Sequence, residues 1–159
     1  MTNKHTKFKS NFNQATVLVV EDSNDQWVFI QKAMEECLPE VSSVRTATPE
    51  QTLLQLQEWY REQFEVPKLI LLDLYLPDRT DGWELLTQIK DMGAPFNQIP
   101  IVMLSSSSSS ADITAAYQLG ISSYLVKPVD FSGWLSCFAK IRSYWWETVT
   151  LPMASRSLL

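Results

Sequence analysis

The sequence predicts an open, doubly wound α/β sheet, and three observations predict it. Short apolar runs at residues 17–20, 69–76, 101–104 and 124–126 lack apolar/polar alternation, so they read as strands buried on both faces, the kind found in a helix-covered parallel sheet. Segments of helical period separate these runs. The chain has 159 residues, 45% of them hydrophobic, enough to bury the core of one domain.

Taken in order, the first strand is the run Val-Leu-Val-Val at 17–20. A helix over residues 24–38 follows, with Trp27, Ile30, Met34 and Cys37 on one face and Pro39 as its stop. A weaker strand covers 43–47. Thr48-Pro49-Glu50-Gln51 is a capping box with proline at the first helical position; it opens a second helix carrying Leu53, Leu56, Tyr60 and Phe64 on one stripe. After the strand at 69–76, a third helix starts at Asp81-Gly82 and runs through Leu85, Leu86 and Ile89 to Gly93. The fourth helix, over 111–119, ends at Gly120, a natural left-handed cap. The fifth begins after Asp130 and presents Trp134, Phe138, Ile141 and Trp145. Five strands alternating with five helices, joined by right-handed crossovers, give flavodoxin-like strand order 2-1-3-4-5.

Composition narrows the function. A net charge of −5 and a pI near 4.8 supply no broad basic surface for nucleic acid. One histidine leaves little room for imidazole-based catalysis or metal ligation. Cys37 and Cys137 lie inside helical patterns and read as packing residues; no CxxC pair suggests zinc or redox chemistry. The basic residues Lys4, Lys7 and Lys9 precede no apolar stretch long enough for a signal peptide or a bilayer span. Residues 1–14 therefore read as a flexible tail on a cytoplasmic protein with no membrane contact.

Ligands of open α/β sheets bind beyond the carboxyl ends of the strands, at the switch in strand order. There the first strand delivers Glu21 and Asp22, the third Asp73 with Tyr75 beyond it, the fourth Ser105 and the fifth Lys127. Carboxylates gathered in one pocket raise one another's pKa unless a cation relieves them. Magnesium, a hard ion preferring oxygen ligands, suits Glu21, Asp22, Asp73 and the backbone carbonyl near Tyr75. Asp73 can then act as nucleophile toward a phosphoryl group, with Lys127 and the Ser105 hydroxyl on the phosphoryl oxygens.

Over residues 15–143 this constellation resembles the receiver domain of two-component response regulators. The matching residues are Glu21-Asp22 after VLVV, Asp73 in LILLDLYLP, Asp81-Gly82 at a helix start, Ser105 after IVML, and Lys127-Pro128 in YLVKP. The resemblance implies a phosphoacceptor that takes a phosphoryl group from a histidine kinase onto Asp73 in a phosphorelay. It implies no enzyme beyond catalysis of its own phosphorylation and dephosphorylation. It also implies a cis Lys127-Pro128 bond, and a switch in which Ser105 moves toward the phosphoryl group while Tyr124 swings into the vacated space.

Some features depart from the pattern. The loop from Pro77 to Asp81 is one residue longer than usual, and Tyr75 is bulky for a position beside the attacking water's path, which predicts slow hydrolysis of the phosphoaspartate, the alternative being a purely structural role in surface packing. In the run of six serines at 105–110, Ser107 onward reads as a flexible loop and helix N-cap. Asp25, Asp78 and Asp112 read as helix-start or loop charges. The extension at 144–159 resembles the aromatic ending of single-domain cyanobacterial regulators that serve phytochrome-type kinases. Two adjacent tryptophans cannot both face one core from an α-helix, so Trp145, Trp146 and Leu151 form a candidate homodimer interface, the alternative being that they fold back over the domain's own edge. Output then runs through contact with an unnamed downstream protein. Competing functions are a flavin module, disfavoured by Glu21-Asp22 where a phosphate loop is needed; an aspartyl-phosphate hydrolase, disfavoured by Tyr75 where a second Asp is needed; and a pseudo-receiver that is never phosphorylated.

Overall fold

The computed structural model describes residues 15–62 and 66–151; the predicted tail at 1–14, Phe64 and the end of the extension lie outside them. The strands are β1 (Thr16–Val20), β2 (Ser42–Thr46), β3 (Leu69–Asp73), β4 (Ile101–Ser105) and β5 (Ser123–Val126), all parallel, in the order β2-β1-β3-β4-β5. The helices are α1 (Asn24–Cys37), α2 (Pro49–Arg61), α3 (Arg79–Asp91), α4 (Ser110–Gln118) and α5 (Phe131–Ile141), with a 3-10 turn at Phe96–Gln98 and a π-helical turn at Arg142–Trp146. Fold class and strand order are as the sequence predicts.

The unalternating apolar runs explain the layers. Successive strand residues point to opposite faces, so each apolar run supplies both. Val17, Val19, Leu69, Leu71, Val102 and Leu104 share one core with α1 and α5. Leu18, Val20, Ile70, Leu72, Ile101 and Met103 share the other with residues of α2, α3 and α4.

Local boundaries follow side-chain chemistry. Ser23 caps α1 by accepting from the Gln26 N–H, Thr48 caps α2 through Gln51, and Asp130 caps α5 through Gly133. At Gly120 (φ 98°) the chain leaves α4 in a Schellman turn: its N–H reaches the Tyr117 carbonyl, and the Ile121 N–H reaches Ala116. The third strand stops at Asp73, three residues short of the apolar run, because its neighbours' ladders end there; Leu74 and Leu76 are buried without strand pairing. Helix α3 begins two residues before the predicted Asp81-Gly82, with Asp78 as N-cap and its N–H bonded to the Asp81 carboxylate at 3.1 Å. Gly82 is required by packing, since a Cβ there would lie 1.9 Å from the Leu74 carbonyl oxygen.

The C-terminal aromatic segment corrects the expected interface. Trp145 and Trp146 are both buried in the core that α1 and α5 share, and Leu151 packs against it. An α-helix would turn one of two consecutive tryptophans away from the core, but this segment is not α-helical. In the π turn, bonds run from the Glu147 N–H to the Arg142 carbonyl and from Val149 to Tyr144, five residues back. That wider turn lets two consecutive tryptophans face inward. Tyr144 takes the exposed position instead.

Candidate functional site

Parallel register brings the predicted residues together. β3 lies between β1 and β4, with Val20 opposite Leu72 and Asp73 opposite Leu104. The residues that follow β1 therefore stand beside Asp73. β4 pairs with β5, and the Lys127 N–H donates to the Ser105 carbonyl at 2.8 Å, fixing the start of the lysine's loop.

One carboxylate oxygen from each of Glu21, Asp22 and Asp73 lies within 4.8 Å of the others, a grouping that could hold a metal ion. Glu21 and Asp73 are buried, while Asp22 is exposed, so the group opens to solvent on the Asp22 side. Lys127 bridges the buried pair: its ammonium donates to Glu21 Oε2 at 2.8 Å and to Asp73 Oδ2 at 3.1 Å. The second oxygens are held by backbone, Glu21 Oε1 by the Ser23 N–H and Asp73 Oδ1 by the Tyr75 N–H, each at 3.2 Å. Tyr75 itself is exposed, and its N–H thus braces the nucleophile.

These contacts compete with burial. Burial, then the charge of Asp73, pushes the Glu21 carboxyl up to about 7 despite Lys127. Burial also raises Asp73, against the pull of Lys127 and the Tyr75 N–H. Burial alone would lower Lys127, but the carboxylates of Asp73 and Glu21 outweigh it and raise its pKa. Two buried carboxyls, Glu21 and Asp73, that burial holds against ionisation, with the hard oxygen donors of Asp22 beside them, fit a hard divalent cation.

Ser105 is fully buried and its Oγ accepts from the Ser107 N–H at 3.1 Å. Tyr124 packs on the core beneath α3 and α4, and its hydroxyl donates to the Ser107 carbonyl at 2.8 Å. The Lys127–Pro128 bond is trans, the ordinary preference of such bonds; the cis bonds among the described residues are Leu76–Pro77 and Ala94–Pro95.

Two sets of contacts escaped the sequence reading. Arg45, on β2 opposite Val19, donates to the Glu21 carbonyl at 2.9 Å, to the Asp22 carbonyl at 3.2 Å and to the Asn24 side chain at 2.8 Å, with its guanidinium 6.0 Å from the Trp27 ring centroid. By taking backbone carbonyls, it steadies the acidic loop without itself occupying a carboxylate oxygen. The signal was a lone cation in an otherwise neutral strand, near its carboxyl end. Asp112, expected to be a helix-start charge, does lie in the first turn of α4, but it is buried and accepts from Arg79 and from the Ser107 hydroxyl, each at 2.6 Å. Ser107 is accordingly anchored, whereas the sequence suggested a flexible loop. Residues 33 apart gave no local sign of this pairing.

A buried lysine shared by strand-end carboxylates, beside a strand-end hydroxyl in a sheet of this order, defines a receiver-type site. Residues 17–136 match the response regulator receiver domain, and the chain belongs to that family. It is 36% identical over 140 residues to the response regulator Rcp1 of Synechocystis sp. (strain ATCC 27184 / PCC 6803 / Kazusa), covering 87% of this chain and 93% of that protein. Among solved structures, the phosphorylated cyanobacterial phytochrome response regulator RcpA matches with a TM-score of 0.78 at 30% identity, covering 88% of this chain and 99% of its own. The Mn2+-bound form of Rcp1 matches with a TM-score of 0.72 at 30% identity, covering 87% of this chain and 99% of its own.

Proposed function

We propose that this protein is a phosphoacceptor switch that takes a phosphoryl group from a histidine kinase, of the phytochrome type, onto Asp73. The observation that carries this reading is the contact of Lys127 with both Asp73 and Glu21 beside the exposed Asp22. A carboxylate oxygen of Asp73 attacks phosphorus; the new bond is an acyl phosphate, and the P–N bond of the donor phosphohistidine breaks with its electron pair returning to the imidazole. Lys127 exchanges a carboxylate partner for a phosphoryl oxygen, and the Ser105 hydroxyl donates to another. Magnesium held by Glu21, Asp22, Asp73 and the Tyr75 carbonyl would supply positive charge opposite the developing phosphoryl charge. Tyr75, exposed beside Asp73, partly covers the approach of water and slows hydrolysis. Turnover is confined to the protein's own phosphorylation and dephosphorylation.

The signal leaves through protein contact, in a cytoplasmic setting; among the described residues no helix is long and apolar enough to cross a membrane. With both tryptophans buried, the C-terminal surface that suits a homodimer or a downstream protein is the groove beside Tyr144, lined by Leu125, Val126, Pro128 and Cys137. Sedimentation of the wild type and Tyr144→Lys reads this directly, and a monomer in both forms removes the dimer. The phosphoacceptor reading is tested by acetyl phosphate treatment with and without magnesium, followed by intact mass. One phosphoryl group gained only with magnesium, and none in Asp73→Asn, is expected. An unchanged mass would make the protein an unphosphorylated interaction module.

A further inference from the structure

The long loop after Asp73 and the serine run after Ser105 meet in one hydrogen-bonded chain. Arg79, the first residue of α3, reaches Asp112 Oδ1 at 2.6 Å, and the Ser107 hydroxyl donates to Asp112 Oδ2 at 2.6 Å. Ser107 then spends every remaining polar group: its N–H goes to Ser105 Oγ at 3.1 Å, its Oγ accepts from the Ser109 N–H at 3.2 Å, and its carbonyl accepts from the Tyr124 hydroxyl at 2.8 Å. The Ser107 hydroxyl and the Arg79 guanidinium hold the Asp112 carboxyl below the usual carboxylate range, so it is an acceptor at both oxygens.

We propose that Asp112 is a positioning residue of the switch: through Ser107 it sets both Ser105 and Tyr124, and through Arg79 it ties them to the helix entered by the loop that follows the phosphoacceptor. Ser105 Oγ, by accepting from Ser107, keeps its one proton for another acceptor, and that proton is the one a phosphoryl oxygen needs. The bond to the buried carboxylate is the one charge-assisted bond among those that hold Ser107. The Asp112 side chain is 4% exposed and that of Arg79 is 53% exposed, so the anchor is rigid while the arginine can be removed without opening a cavity. The kinetic part of this proposal rests on the phosphoacceptor reading; the structural part does not.

The test uses the full chain and the variants Asp112→Asn, Arg79→Ala, Arg79→Lys, Ser107→Ala and the double variant Ser107→Ala/Asp112→Asn. Hydrogen exchange across residues 105–109 in the unphosphorylated protein should quicken about tenfold in Asp112→Asn and Arg79→Ala, the scale of one charge-assisted hydrogen bond. Arg79→Lys should stay near wild type, because a single donor suffices. The phosphorylation rate at saturating acetyl phosphate should fall about tenfold in the same two variants, with the donor KM and Mn2+ affinity within about twofold of wild type. The double variant should match its worse single variant, since both break one link. Wild-type exchange at 105–109 in Asp112→Asn overturns the proposal. So does a phosphorylation rate at or above wild type, or a loss of Mn2+ affinity in step with it. Should the wild type accept no phosphoryl group, the phosphoacceptor reading falls, and the exchange result alone decides the role of Asp112.

Discussion

Divalent metal affinity should depend on pH through Glu21. Its carboxyl sits at about 7, raised by burial and by the Asp73 charge. A metal that needs this carboxylate must displace its proton. With a pKa of about 7, the ionised fraction is about 90% at pH 8 and about 3% at pH 5.5, so affinity should fall about thirtyfold between them. Asp73, also raised, adds to the fall. Titration of Mn2+ by its paramagnetic resonance signal, at constant ionic strength, measures this directly. Glu21→Gln should bind more weakly at pH 8 and lose most of the pH dependence. An affinity that stays flat from pH 5.5 to 8 in the wild type would refute the placement of Glu21 at the ion.

Other outcomes follow from the same contacts. In metal-free protein the folded state keeps the Glu21 proton above the unfolded value near 4.5, so this group's contribution to stability falls as pH rises from there to about 7; the Tm of Glu21→Gln minus that of wild type should therefore widen between pH 5 and 8, and a constant difference would contradict the shift. Lys127→Met leaves two buried carboxylates without their cation; it should destabilise the metal-free protein by about 3 kcal/mol in urea melts and abolish phosphorylation. Gly82→Ala gains about 1 kcal/mol of helix propensity but forces a Cβ against the Leu74 carbonyl, so the clash wins and net destabilisation of about 2 kcal/mol is expected; a stabilised variant would refute the packing argument. Trp145→Ala and Trp146→Ala should each cost about 3–5 kcal/mol in the isolated protein, whereas interface tryptophans would leave a monomer's stability nearly unchanged.

What the sequence revealed, and what it hid, divides along a physical line. Strand-end residues were legible because a parallel sheet has a fixed polarity: once 17–20, 69–76, 101–104 and 124–126 are strands, Glu21, Asp22, Ser105 and Lys127 must share one edge, and Asp73, the acidic break in the third run, marks its place there. Element ends were less so. The apolar run at 69–76 continues past Asp73 because Leu74 and Leu76 are buried, and burial is not strand pairing. The tryptophan pair misled because periodicity presumes 100° per residue, and the π turn at Arg142–Trp146 breaks that rule. Arg45 and the Arg79–Asp112 pair were invisible for a different reason: each is a contact between side chains distant in sequence, and its meaning depends on what the fold brings near.

The most direct test of the central claim locates the modified atom. Protein treated with acetyl phosphate and magnesium, reduced with borohydride and mapped by peptide mass, should show homoserine in place of aspartate at position 73 alone. Reduction at Glu21 or Asp22 instead, or an unmodified position 73 in phosphorylated protein, would contradict the account.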